Sequence, residues 1–129
     1  MRIDLKNNRK SAFTFIEIVI VVTILGLLVA IGVPNFMRAR DNSRLNCIRK
    51  NLREIESAKI QWALEHNKST GATVTDMTVL NDYFRQNGGV RDVIRETYVP
   101  NAIGTPAEAD LPGGVSLGTY APGGVIAAD

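Results

Sequence analysis

Glu17 stands at the head of a run in which no residue from Ile18 to Met37 is charged. A lone carboxylate in a bilayer costs about 2.5–3.5 kcal/mol at mid-depth and less near an end, so an acid in this place implies a cation for it to meet. A cut after Ala12 would create one. The new α-amino group of Phe13 would then lie four residues from Glu17, available in the same chain or to a neighbouring copy. Pairing with the neighbour would make assembly inside the membrane depend on charge as well as on packing.

Other chemistry is sparse. His66 is the single histidine and Cys47 the single cysteine, so paired-thiol metal sites, intrachain disulfides and most acid–base schemes are excluded. No Ser-His-Asp set, glycine-rich phosphate loop or carboxylate dyad is present, and the chain reads as a non-enzyme without a cofactor. Glu108 and Asp110, ahead of Leu111-Pro112-Gly113-Gly114, are weak candidates for calcium, and a plain acidic loop is the favoured reading. Arg38, Arg40, Arg44, Arg49, Lys50 and Arg53 read as a solvated, headgroup-facing surface; nucleic acid is disfavoured as a partner. Cys47, close to an apolar stripe, is expected as a buried free thiol, Trp62 as core, and His66 as an exposed helix-end residue.

The elements that must position Glu17 are legible from hydropathy. As a helix, the twenty residues Ile18–Met37 span about 30 Å, the thickness of a hydrocarbon core. Net charge is +2, but Arg2, Lys6, Arg9 and Lys10 against Asp4 place +3 in the first twelve residues, leaving about −1 for the rest. Basic residues flank the span on both sides, so charge counting alone does not orient it. Past Pro34 the pattern becomes amphipathic, with Leu45, Ile48, Leu52, Ile55, Ala58 and Trp62 at helical spacing. Lys50 with Glu54 and Arg53 with Glu56 are expected as ion pairs on the other faces. One helix of roughly 80 Å from Phe13 to about His66 is predicted, interrupted only at Gly32-Val33-Pro34, where a kink belongs. Asn67-Lys68-Ser69-Thr70-Gly71 is the expected stop.

Downstream, Thr75-Asp76 is predicted to cap a short helix over Met77 to Phe84. Residues 85–112 carry little pattern. Val115 to Tyr120, the turn Ala121-Pro122-Gly123-Gly124, and Val125 to Ala127 are predicted as a hairpin that covers the stripe. The expected fold class is therefore α+β: a long N-terminal membrane helix, continued by an amphipathic helix packed on a small antiparallel sheet. The expected segments are 1–12 leader, 13–36 membrane and filament-core helix, 37–68 amphipathic continuation, and 69–129 small globular domain with the hairpin.

Lys10-Ser11-Ala12, Phe13-Thr14-Phe15-Ile16-Glu17, Gly26, and Ile31-Gly32-Val33-Pro34-Asn35-Phe36 together resemble the N-terminus of type IV pilins and type II secretion pseudopilins. The match runs from Lys10 to about Arg40, with looser similarity to major pseudopilin subunits through Asn46–Lys59 and Gln61–Glu65. Ala12 replaces the family's usual Gly and Phe15 its usual Leu. A lone cysteine cannot close the C-terminal loop of classical pilins, which favours the pseudopilin side.

The resemblance implies cleavage between Ala12 and Phe13 by a prepilin peptidase on the cytoplasmic side, with methylation of the Phe13 amine. It also implies that Glu17 meets the amine of an adjoining subunit, and that Gly26 and Pro34 serve assembly. The implied partners are copies of the same chain, minor pilins, the peptidase, an inner-membrane assembly platform and lipid. The implied location is the bacterial inner membrane, with the C-terminal domain in the periplasm. A pseudopilus subunit is the leading function and a type IV pilus or DNA-uptake pilin the alternative. A monomeric single-span binding module is the alternative from another class, with a plain anchor or a signal peptide cut after Gly32 as the simpler accounts of the apolar run.

Overall fold

The computed structural model describes residues 12–85 and 89–129, so Met1–Ser11 of the expected leader lie outside the described residues. Two units divide the chain, Met1–Phe36 and Met37–Asp129. A single long helix, α1, runs Phe15–Glu65 through both sequence ranges.

In the first unit every described residue is exposed, including Phe13 at 81% and Phe15 at 84%. Within α1 is a stretch long and apolar enough to cross a membrane. Its polar side chains turn back on the helix: the Thr23 hydroxyl donates to the Val19 carbonyl at 2.7 Å, and the Asn35 amide to the Ile31 carbonyl at 3.1 Å. Each polar group thereby finds a partner without water. The interruption expected at Gly32-Val33-Pro34 is not found, since all three residues are helical. Pro34 removes one N–H, and the cooperativity of a helix this long carries the chain across a single missing bond.

In the second unit, α1 buries Ile48, Leu52, Ile55, Ala58, Lys59, Trp62 and Ala63. The helix closes with paired reverse bonds. Lys68 N–H donates to the Ala63 carbonyl at 2.8 Å and Asn67 N–H to Leu64 at 3.5 Å, with Asn67 left-handed at φ 48°. The expected stop is therefore a Schellman motif built on asparagine. A 3-10 helix follows at Met77–Tyr83, where the Asp76 carboxylate accepts from Thr78 N–H at 3.4 Å.

Three short strands complete the α+β architecture expected from the sequence: β1 Thr97–Val99, β2 Glu108–Asp110 and β3 Val125–Ala127. They form one antiparallel sheet in the order β1-β2-β3, with Tyr98, Ala109 and Ile126 in register. Ala109 and Ile126 join the helix stripe, Leu80, Phe84, Leu111 and Leu117 in the core. The predicted hairpin is corrected: β3 pairs with β2, and Val115 to Tyr120 is no strand. Leu117 and Tyr120 bond each other through a tight turn at 3.0 Å, with Gly118 left-handed at φ 60°, which consumes the backbone groups a strand would offer. The Pro122-Gly123 turn does form, Gly124 N–H donating to the Ala121 carbonyl at 2.9 Å.

Two polar networks tie loops to α1. Lys59, only 1% exposed, donates to Glu56 at 2.9 Å and to the Thr105 carbonyl at 2.7 Å, while Glu56 accepts the Ala107 N–H. The expected Arg53–Glu56 pair is thus corrected, because Glu56 turns inward to Lys59. Glu54 accepts Arg85 N–H at 3.2 Å, and no Lys50–Glu54 ion pair is present among the described residues. Cys47 is exposed, not buried, since one residue of rotation from Ile48 carries it off the stripe. His66 is exposed as expected and stacks on buried Trp62, centroids 5.3 Å apart.

In the second network, the Asn51 amide donates to the Tyr98 hydroxyl at 2.8 Å and to the Arg91 carbonyl at 2.9 Å. The Tyr98 hydroxyl in turn donates to Glu96 at 2.6 Å, and the Val93 and Ile94 N–H groups donate to the same carboxylate. Burial works to raise the Glu96 carboxyl, but the Tyr98 hydroxyl and these N–H groups outweigh it and hold it below the usual carboxylate range. Burial and the Glu96 carboxylate push Tyr98 well up. A carboxyl lowered by folding stabilises fully above its unfolded pKa of about 4.3 and loses that contribution as pH falls through the folded value. Glu96→Gln is therefore expected to cost about 1.5–3 kcal/mol at pH 7 by urea unfolding followed on Trp62, with the gap to wild type narrowing below about pH 4.

Candidate functional site

The chemistry-bearing residues gather at the foot of α1. Ala12, Phe13 and Thr14 precede the helix without regular structure, and Ala12 and Phe13 are exposed on the chain's surface. Thr14 is the N-cap and Glu17 the third helical residue, a capping box whose two side chains satisfy each other's backbone. The Glu17 Oε2 accepts the Thr14 N–H at 2.7 Å and the Thr14 hydroxyl at 2.8 Å; Thr14 Oγ1 accepts the Glu17 N–H at 3.3 Å.

This box answers the question of how a carboxylate survives at the mouth of an apolar helix. It takes up two donors that would otherwise be orphaned at the helix start, and the N-terminal end of the helix dipole favours its charge. Only Oε2 is used in these bonds. Chemically, Glu17 is therefore a carboxylate held in place from one side, with its second oxygen able to accept a further cationic donor. Thr14 went unassigned in the reading of the sequence. The signal for it was the Thr-x-x-Glu spacing just before an apolar run.

The other expected assembly residues, Gly26 and Pro34, lie farther along α1 and are exposed. A Cβ built on Gly26 or on Gly32 meets no atom within 4 Å. The isolated fold gives no steric reason for either glycine. Such positions on an apolar helix suit close approach of a second helix. Pro34 lies within the helix, two residues beyond Gly32.

Glu108 and Asp110 fall far from this region in sequence, on the face of β2 opposite to buried Ala109. Among the described residues, no group of three His, Cys, Asp or Glu side chains is placed to hold a metal ion.

Comparison with known proteins points to the same end of the chain. Residues 7–33 match the model of the prokaryotic N-terminal methylation motif. The type IV major pilin protein PilA of Myxococcus xanthus is 35% identical over 68 residues, 53% of this chain and 31% of the relative. The type II secretion system core protein G of Pseudomonas aeruginosa is 32% identical over 62 residues, 48% of this chain and 44% of the relative. The chain thus spans from about a third to under half the length of the curated relatives it matches. No solved structure matches. Both relatives are named for a place in an assembly and not for a reaction.

Replacing Thr14 by Val keeps the shape and removes the hydroxyl of the box. The helix start is expected to lose about 1 kcal/mol, read as roughly fivefold faster amide exchange at Glu17 in detergent micelles, with exchange at Ile48 unchanged.

Proposed function

We propose that this chain, which carries the prokaryotic N-terminal methylation motif and is similar to a type IV pilin and a type II secretion core protein, is a filament subunit of the pilin and pseudopilin kind, matured by cleavage between Ala12 and Phe13 and polymerised through α1. The observation that carries the reading is the carboxylate of Glu17, held at the entrance of an uncharged span and four residues from the amine that cleavage would expose. The relatives' names support the assembly role.

In this reading a prepilin peptidase removes the basic leader on the cytoplasmic side and methylates the Phe13 amine, which keeps its positive charge. The span holds the mature chain in the inner membrane, with the domain from Met37 onward in the periplasm. An incoming subunit presents Glu17 to the Phe13 ammonium of its neighbour. In a low-dielectric setting that ion pair removes the cost of the lone acid, and a mispaired subunit would keep it. Gly26 and Gly32 let helices approach, and the segment up to Pro34, short of one backbone bond, is the place where the helix can yield during packing.

A pseudopilus of a type II secretion-like system is the favoured assembly. Cys47 is a single exposed thiol on α1, and no second cysteine exists to close a C-terminal disulfide loop. The likeness to a major pilin keeps a type IV pilus as the second reading. Deletion of the protein distinguishes them: loss of exported enzymes marks the first, loss of surface fibres the second.

Intact mass of the membrane-extracted protein is expected to begin at Phe13 and to carry one extra methyl group; retention of Met1 would refute the maturation step. Glu17→Ala should give a cleaved, membrane-inserted chain whose yield of sheared filaments falls at least about tenfold.

A further inference from the structure

The domain from Met37 onward has two surfaces of opposite charge on different elements. Along α1, Lys50, Arg53, Ser57 and Gln61 recur at three- and four-residue spacing and are all exposed, off the buried stripe of Ile48, Leu52, Ile55 and Trp62. With Tyr83 and Arg85 they line a groove of about 370 Å³. Three cations meet one carboxylate there, Glu54, and that carboxylate already accepts the Arg85 N–H. Among the described residues, neither Lys50, Arg53 nor Arg85 has an acidic partner within 4 Å.

The second surface is the outer face of the sheet. Strand alternation and register place Thr97, Asp110 and Val125 in one row and Val99, Glu108 and Ala127 in the next, opposite to buried Ala109 and Ile126. This face carries two carboxylates and no cation, and Val125 on it is 48% exposed. The inner face of the same sheet is spent on the core, so only the outer face can meet another molecule.

We propose that the basic groove of one copy receives the acidic outer sheet face of the next. The inference rests on the filament reading above. Its own support is that the two patches are complementary and belong to one chain, so each copy is at once donor and acceptor. A contact between two different patches is heterologous: it leaves both ends unsatisfied and propagates as an open filament unless the rotation closes a ring. A contact of one patch with itself would stop at a dimer. The charges set register and encounter rate more than raw affinity, and exposed pairs of this kind weaken as salt shortens the Debye length to about 10 Å at 0.1 M.

The test uses the full-length, matured chain in membranes, with sedimentable polymer as readout. K50E/R53E is expected to lower polymer yield about tenfold, E108K/D110K likewise, and the four changes in one chain to restore it to within about threefold of wild type. K50Q/R53Q, which removes charge without adding repulsion, should fall between wild type and K50E/R53E. Unfolding midpoints read on Trp62 check that each variant still folds, and recovery in the combined variant requires it. If the singly reversed chains polymerise like wild type, or the combined chain no better than they do, the contact is overturned while the filament reading stands. Binding of a DNA duplex that K50E/R53E abolishes without changing polymer yield would give the groove to nucleic acid and overturn it too. Failure of the unsubstituted chain to polymerise would instead sink the underlying reading.

Discussion

A charge at the threshold of a lipid-soluble helix must be accounted for at every stage of the molecule's life. In the single chain Glu17 meets this locally, accepting the Thr14 N–H that the helix start would otherwise leave bare, together with the Thr14 hydroxyl. That arrangement stabilises α1 and fixes the direction of the carboxylate. It does not neutralise it. The remaining negative charge is the demand that a neighbour's amine is proposed to meet, and the helix after it offers little that would compete. No residue charge competes before Met37, polar Thr23 and Asn35 close on their own carbonyls, and two glycines leave open surface.

The domain that follows works under a different constraint. Its sheet has three strands of three residues each, too little to stand alone, and it depends on one face of α1 for a core. The segments before and between the strands are long relative to the strands and are held by polar clasps. Lys59 and Glu56 secure residues 105–107, while Asn51, Tyr98 and Glu96 secure residues 91–98. Both clasps start from α1, so the same helix that carries the apolar span also organises the domain from Met37 onward.

How much of this is legible in the residues depends on the length over which a pattern repeats. The uncharged run and the stripe from Leu45 to Trp62 extend over many turns, and both stand as helix, though without the interruption expected at Gly32-Val33-Pro34. The end of α1 was readable from Asn67 because few residues accept a left-handed backbone. Three-residue strands offer no period to count, so β1 and β2 were lost in a segment without pattern, and the one strand recognised, Val125 to Ala127, was given the wrong partner. Lys59 carried no sequence signal of its burial, since a lysine is rarely buried without a carboxylate, and Glu56 seemed to belong to Arg53. Cys47 was misplaced by a single residue of helical rotation. At the site itself Glu17 stood out by its cost, whereas Thr14, which answers part of that cost, was hidden in plain view by its ordinary polarity.

The single, exposed thiol of Cys47 has an implication for chemistry on the intact molecule. Each copy brings one nucleophilic thiol at one helical address, with no second thiol to blur the result. A maleimide dye or a bifunctional cross-linker therefore reports a single distance per pair of copies, and an assembled array becomes a ruler with one mark per repeat.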